Sequence, residues 1–348
     1  MIEHLSLREC GPLRALDWAT SPRINLILGP NGSGKSIILK MLYASVRALE
    51  AYRRGNDTEP FVALLSRKLL WTFQVERLGD LVRKEGQRLS CELRFDDQTL
   101  AFGFSARAER LPKLQSEGIT PRHRDGRSLF LPPKEILSLI PVILKSRLVD
   151  QMFGFDDTYL DLALAVEAEP VRGRRPKPLE ASRERLDALI GGRLELFHKG
   201  GRKEWFFRQG RYRYPIRITA EGTKRLAILD RLVSNRQLDA GSILFIDEPE
   251  AMLHPSAIVR FMEVLRLLAE AHIQVFLASH SYFVLKALYL LARQHGTEVQ
   301  VLSLNEDGLH HTVGDLRQGM LDNPILDEAI ALYEREVDLT LGDLDGED

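Results

Sequence analysis

The chain has 348 residues, 44% of them hydrophobic and 28% charged, enough for one large or two modest domains around a packed core and too apolar for a disordered polymer. A formal net charge of -1 and a pI near 6.8 give no global pull toward nucleic acid or an anionic membrane, so any such contact must come from a local patch. Two cysteines, Cys10 and Cys91, argue against a disulfide framework; with no leader pattern at the start and no apolar run of membrane-spanning length, the expected location is the cytoplasm, away from membranes.

Short strands are predicted at 3–8 and 13–16, then a strand at Ile24–Leu28. Gly29-Pro30-Asn31-Gly32-Ser33-Gly34-Lys35-Ser36 follows at once and opens an apolar helical pattern through Ile37, Ile38, Leu39, Met41 and Leu42 to about residue 53. Glycines let backbone N–H groups approach an anion, Lys35 reaches terminal phosphates, and the Ser36 hydroxyl suits Mg2+. A strand leading in and a helix leading out make this a phosphate-binding loop for a nucleoside triphosphate.

A break at 55–60 precedes a helical run through Leu64, Leu65, Leu69, Leu70 and Phe73, and alternation at 89–95 and 100–104 predicts a hairpin around Asp96-Asp97, in an outer sheet of the nucleotide lobe. A strand at 129–131 runs into Pro132-Pro133-Lys134-Glu135 and a helical region to about 166. A Pro- and Arg-rich linker at 169–178, a charged helix at 179–190 and a hairpin of 193–197 with 205–208 come next. From Ile218 helix and strand alternate: helix 221–233, strand 243–246, helix 255–271, strand 274–277, helix 282–294 and strand Val299–Leu304. That order predicts an α/β fold of P-loop type, a mostly parallel sheet with flanking helices, an N-terminal antiparallel β part and a helical insertion. The expected organisation is a core in two parts, 1–134 and 191–341, an insertion at 135–190, and an acidic solvated tail at 342–348.

The second motif is Ile243-Leu244-Phe245-Ile246-Asp247-Glu248-Pro249-Glu250, a buried-strand run ending in adjacent carboxylates. Asp247 is placed to hold Mg2+, directly or through water, and Glu248 to orient an attacking water and take its proton. A solvated acidic turn is the bland alternative, and the phosphate loop upstream weighs against it. His280 ends the next predicted strand, in register with the acidic one, where it would face phosphate rather than sit as an incidental polar residue. Ile218-Thr219-Ala220-Glu221-Gly222 starts the helix before the acidic strand and offers backbone N–H groups and a positive dipole end to an anion.

In order and spacing these segments resemble the ABC-type ATPases, with a signature loop at Ile218 to Leu226, a loop at 249–255 that lies against the opposite subunit, and His280 as the switch histidine. Ala220-Glu221-Gly222-Thr223-Lys224-Arg225-Leu226, the run from Leu244 to Ala251 and the run from Leu277 to Phe283 are similar to the OLD-like group of AAA ATPases, the ATPase subunits of bacterial antiviral systems such as Gabija, Septu and retron-associated operons. The resemblance covers the N-terminal third and the part after about residue 193. It implies ATP and Mg2+ as ligands, with Lys35, Glu248 and His280 catalytic and Ser36 and Asp247 on the metal. The nucleotide would be held by the loop Gly29 to Ser36 and, from a second copy, by Thr219, Ala220, Glu221 and Gly222. It further implies hydrolysis to ADP and phosphate by a homodimer or higher even oligomer that closes over ATP and controls a separately encoded effector, a toxin or nuclease.

Two departures matter. Signature loops of the class carry a serine two residues before the glycine; Ala220 stands there, so the γ-phosphate contact would fall to backbone N–H groups or Thr219, and turnover would be weak or dependent on a partner. OLD-family nucleases continue into a Toprim domain, whereas a short segment follows His280 and Asp343 and Asp345 lie in the tail, so nuclease activity in this polypeptide is not expected. Glu135 stands where the class has its glutamine loop, either linking the metal site to the helical part or simply starting a helix. The basic stretch Arg172 to Arg217, interleaved with Trp205, Phe206, Phe207, Tyr212 and Tyr214, is either a nucleic-acid track or, the preferred reading, a hairpin and a solvated linker. The alternative function is a RecF-like DNA-binding repair or recombination ATPase; a transporter ATPase and a non-hydrolysing nucleotide sensor are the remaining ones. No motif reads the base, and the resemblance favours ATP over GTP.

Overall fold

The computed structural model describes residues 1–55, 58–96, 98–115, 121–169, 177–199, 202–305, 308 and 310–344. In chain order the elements are β1 (Ile2–Cys10), β2 (Leu13–Ala19), β3 (Ile24–Leu28), α1 (Lys35–Ala51), α2 (Phe61–Phe73), β4 (Arg88–Phe95), β5 (Gln98–Ser105), β6 (Ser128–Leu131), α3 (Ile140–Leu144), α4 (Asp157–Glu167) and α5 (Lys177–Ile190). They continue with β7 (Arg193–Lys199), β8 (Arg202–Gln209), β9 (Tyr212–Pro215), α6 (Glu221–Ser234), β10 (Ile243–Asp247), α7 (Pro255–Glu270), β11 (Gln274–Ser279), α8 (Tyr282–His295), β12 (Val299–Leu304), β13 (His311–Asp315) and α9 (Pro324–Leu344).

The central sheet has the order β13-β12-β3-β11-β10-β6, parallel throughout except for β13. Strands covered on both faces read as continuous apolar runs, and β3, β10 and β11 are buried at every residue. Alternate side chains serve two cores. Leu26, Leu28, Leu244 and Ile246 face one with α6, α7 and α8, while Ile27, Phe245 and Phe276 face the other with α1 and an antiparallel sheet of order β2-β1-β4-β5. Trp18 of that outer sheet meets Phe276 edge-on at 5.9 Å, which ties the two sheets together. The fold is thus the expected α/β P-loop architecture.

Register brings the carboxyl ends of the parallel strands level. Leu28 lies opposite Ser279, Asp247 opposite Ala278, and Ile246 opposite Leu131, so the loops after β3, β6, β10 and β11 emerge along one edge of the sheet. Ligands of open α/β sheets bind at that edge.

The helical part differs from its expected continuous form. After β6 the chain turns at 133–139; α3 then passes into a π-helical turn, Lys145–Val149, and an irregular break, and α4 restarts where the Asp156 side chain accepts from the Thr158 N–H. Gln151 and Gly154 take left-handed backbone angles in that break, which a continuous helix does not allow. α4 is attached to the core by charge: Lys40 of α1 meets Asp156 at 2.6 Å, Lys68 of α2 and Arg147 meet Asp157 at 2.9 and 2.6 Å, and Arg47 meets Asp161 at 3.1 Å. Burial alone would raise the Asp161 carboxyl; Lys68 and Arg47, with hydrogen bonds from Arg47 and Tyr43, outweigh it and hold it well below the carboxylate range.

Three elements were not anticipated: β9, β13 and α9, the last extending into the stretch expected to be a solvated tail, through residue 344. The remainder of that tail, most of the linker at 169–178 and Asp97 of the hairpin turn lie outside the described residues. Among the described residues no helix is long and apolar enough to cross a membrane.

Candidate nucleotide-binding site

The loop between β3 and α1 is shaped by glycines. Gly29 and Gly34 adopt φ of 153° and 101°, and a Cβ on them would lie 2.9 Å from the Leu304 carbonyl oxygen and 3.1 Å from the Pro12 and Leu13 side chains. Lys35 is buried, and its Nζ donates back to the carbonyls of Gly29 (2.8 Å) and Pro30 (2.7 Å), closing the loop on itself. Burial lowers the Lys35 ammonium's pKa, while Asp247, Glu248 and Glu250 oppose the shift from the acidic strand end. The Ser33 hydroxyl is buried within this loop and has no hydrogen-bond partner in the protein.

Asp247 ends β10 with its carboxyl buried, and the Ser36 hydroxyl on the neighbouring loop favours its charged form. Burial raises its pKa, Glu248 adds to the rise, and the Ser36 hydroxyl with Lys40 and Arg225 counters it. A hydroxyl and a carboxylate at the ends of a phosphate-type loop and an acidic strand are a donor set that fits Mg2+, which takes one or two protein oxygens and completes its shell from phosphates and water. Among the described residues no cluster of three or more His, Cys, Asp or Glu side chains is placed to hold a metal ion by itself.

Glu248 is held by its backbone. Its N–H donates to the Ala278 carbonyl at 2.9 Å and its φ is 50°, left-handed for a non-glycine residue. Arg225 of α6 reaches under it: one guanidinium nitrogen donates to the Glu248 carbonyl at 2.6 Å and the other to the Asp247 carbonyl. Burial lowers the Arg225 pKa to about 10, while Glu250, Asp247 and Glu248 favour its charge. Glu250 in turn accepts from the Ser279 hydroxyl (2.9 Å) and the His280 N–H (3.1 Å), with His280 Nδ1 at 3.6 Å. The loop that carries the half-exposed His280 ring is therefore anchored by a carboxylate two residues beyond Glu248.

The first turn of α6 touches the same machinery from the other side. Ala220 is its N-cap without a side-chain cap, and the first helical bond runs from the Lys224 N–H to the Ala220 carbonyl, which leaves the N–H groups of Glu221, Gly222 and Thr223 ahead of it. The Thr219 hydroxyl is buried and unpartnered. Gly222 has a packing reason: a Cβ there would stand 2.5 Å from the Met252 carbonyl oxygen. Lys224, buried, contacts Glu221 at 2.8 Å and Glu135 at 3.4 Å, so Glu135 is tied to α6 as well as to its own turn, where it accepts from the Ser138 N–H at 3.3 Å. Tyr159 of α4 stands nearby; burial pushes its hydroxyl up to about 12, with Asp156 and Asp247 adding to the rise.

The structure thus gathers Lys35, Ser36, Asp247, Glu248, Glu250, His280 and Glu135 at one sheet edge. No hydrogen bond joins residues 219–222 to residues 29–36 among the described residues of the single chain. Lys224, Arg225 and Glu250 lie inside sequence motifs and Tyr159 outside them, but the sequence assigns none of the four a role, because their partners are fixed by the fold. The basic stretch is only partly described, since 172–175 lie outside the described residues. In the remainder Trp205 and Phe207 belong to the core, and Arg193, Arg208 and Arg213 converge on Glu195 at 3.7, 3.2 and 2.9 Å.

The family described as "AAA domain, putative AbiEii toxin, Type IV TA system" matches residues 24–286, from β3 through the loop carrying His280 and into α8. The chain belongs to that family. No curated protein matches this AAA-domain chain by sequence. Among solved structures it is similar to an SMC head bound to the C-terminal winged-helix domain of ScpA, with 16% identity, a TM-score of 0.52, and 90% of this chain and 97% of that chain covered. It is also similar to the SMC head domain from Thermotoga maritima (16% identity, TM-score 0.48, 90% and 98% covered). A third likeness is to an Smc head with an extended coiled coil bound to the C-terminal domain of ScpA, from Pyrococcus furiosus (14% identity, TM-score 0.49, 96% and 98% covered). At these identities the likeness is one of fold: the AAA-domain protein has the ABC-type P-loop architecture of a nucleotide-binding ATPase.

Proposed function

We propose that this AAA-domain protein is an Mg-ATP hydrolase of the OLD-like kind, two copies of which close over ATP and, through their nucleotide state, regulate a separately encoded effector in a toxin or antiviral system. The observation that carries the reading is the level register of β3, β10 and β11, which sets Lys35 and Ser36 at the strand ends beside Asp247, Glu248 and His280.

In this mechanism Lys35 exchanges the Gly29 and Pro30 carbonyls for terminal phosphate oxygens, and the loop's N–H groups cradle the rest. Ser36 and Asp247 would hold Mg2+, which supplies neutralisation of phosphate charge. The Glu248 carboxylate takes a proton from the attacking water as its oxygen bonds to the γ-phosphorus. The bond to the β–γ bridging oxygen breaks, leaving ADP and phosphate. His280, anchored by Glu250, faces the γ-phosphate. Thr219 to Gly222 serve the site of the second copy, where the uncapped start of α6 and the unpartnered Thr219 hydroxyl suit an anion. The segment 135–190 acts as a lobe whose position is set by Lys40–Asp156 and Lys224–Glu135. A head with a bound partner domain among the structural neighbours supports a separate partner protein here too.

Sedimentation velocity of Glu248→Gln with and without Mg-ATP tests the reading: ATP raises the mass or compacts the particle, and phosphate release is lost. An unchanged mass and shape at saturating nucleotide rules out closure. The RecF-like reading draws on the arginines of β7–β9, and its mark would be DNA-stimulated hydrolysis; the shared Glu195 carboxylate, which already engages three of them, favours the effector reading.

A further inference from the structure

α9 is firmly rooted and then left bare. At its start Asn323 accepts from the Ile325 and Leu326 N–H groups at 3.2 and 3.1 Å and donates to the Leu321 carbonyl at 2.7 Å, while Ile325 packs against the core. Beyond that root Ile330, Leu332, Tyr333, Val337 and Leu339 are exposed, Tyr333 by 66% and Leu339 by 71%. An apolar stripe of this kind marks an interaction surface.

Its charge says what can cover it. Leu326, Ile330, Tyr333 and Val337 follow one another at heptad spacing, and the flanking positions are Asp327, Glu334 and Glu336. Residues 324–340 hold Arg335 as their one basic residue. Two α9 helices paired along this seam would set acid against acid, so the helix is not its own partner. A fitting surface combines arginine with half-buried apolar rings.

The outer face of the β7-β8-β9 sheet has that combination. Arg213 lies over the Phe197 ring at 4.8 Å, Phe197 meets Phe206 edge-on at 5.6 Å, and Arg193 and Arg208 stand on the same face. Glu195 offsets one charge of the three arginines gathered on it, and Arg211 beside them is exposed. Among the described residues no hydrogen bond joins α9 to this sheet within one chain.

We propose that α9 docks on the outer face of the β7-β8-β9 sheet of a second copy of this chain, with its acidic flank on the arginines and its apolar seam over Phe197 and Phe206. This contact is independent of nucleotide chemistry.

Sedimentation equilibrium of the full chain without nucleotide, over a salt series, tests it. The expected result is a concentration-dependent association that weakens with salt. Glu334→Arg with Glu336→Arg weakens it at least about tenfold, Arg211→Glu with Arg213→Glu does the same, and all four changes together restore it. A chain that stays monomeric at low salt, charge reversals without effect, or a four-fold variant that stays apart overturns the proposal. The α9 pair sits on an exposed helix that the core does not need, so the test remains readable should the sheet variant fold poorly. Because no nucleotide is present, loss of ATP hydrolysis in other variants bears only on the ATPase reading.

Discussion

Replacing Arg225 by methionine separates its two tasks, holding the strand end together and holding Glu248 in place. The side chain is 5% exposed and donates to two carbonyls, those of Asp247 and Glu248. Hydrogen bonds to a charged donor contribute about 1.5–3 kcal/mol each, and removing the guanidinium also removes the cost of burying it, so the net loss of stability is about 3 kcal/mol. Glu248 sits at a φ of 50°, a conformation that costs roughly 1–3 kcal/mol and persists only where the surroundings impose it. Without the clamp it relaxes toward ordinary angles and its carboxylate moves. A displacement of about 1 Å at a reacting group lowers kcat about a hundredfold. Lys35 and Ser36 are untouched, so KM for ATP changes little. Arg225→Lys keeps the charge but not the fork, holds one carbonyl at a time, and lies between the two. Urea unfolding and a phosphate-release assay on the same preparations give both numbers. Reduced stability with unchanged kcat would refute the positioning role; unchanged stability would show that the two carbonyls find other donors and that nothing is clamped.

Asp161→Asn takes one carboxylate from Arg47, which keeps Glu50, and from Lys68, which keeps Asp157, and costs about 1–3 kcal/mol in denaturant unfolding. Because the folded carboxyl is depressed, its contribution is complete above the ordinary value of about 4 and is lost as pH falls below it, so the variant should show a flatter acid limb by circular dichroism. Gly222→Ala places a methyl 2.5 Å from the Met252 carbonyl oxygen and destabilises by about 1–3 kcal/mol; a neutral result in thermal unfolding means that the loop at 249–254 can move aside. Glu250→Ala frees the His280 loop and lowers kcat about tenfold or more while calorimetric ATP binding persists, and a loss of binding instead would place Glu250 in the fold rather than the turnover.

Where burial is complete, the sequence was easy to read. β3, β10 and β11 are covered on both faces and show as mostly apolar runs, with Asn25 the one polar residue inside β3, and the glycine angles of the phosphate loop leave their mark in Gly29 and Gly34. The missed elements lack such marks. β9 is exposed at every residue and cannot alternate, and β13 is a short edge strand, His311 to Asp315, with a glycine inside. The helical region after Glu135 breaks because Gln151 and Gly154 turn left-handed and Asp156 restarts the helix, a capping event hidden in an acidic pair. Arg225 and Lys224 look like the solvent face of an amphipathic helix. Their burial follows from carbonyls 22 and 23 residues away for Arg225 and a carboxylate 89 residues away for Lys224, separations that no local pattern reports.

These contacts give α6 a particular place in the proposed cycle. Gly222 packs on the Met252 carbonyl, Lys224 meets Glu135, and Arg225 holds Asp247 and Glu248, all within the first two turns of one helix. An α-helix rises about 1.5 Å per residue and is stiff over so short a span, so a push at Thr219 to Gly222 arrives at Arg225 nearly undiminished. The start of α6 is also the segment that a second copy's nucleotide would engage in the closed dimer. In the proposed cycle a phosphate bound there would act on Glu248, the proposed general base of the chain that owns α6, through three residues of helix, without a relay across the sheet. Readiness to hydrolyse in one site would then depend on occupancy of the other, and the Arg225→Lys variant, which keeps the charge but loosens the link, is where that dependence would weaken first.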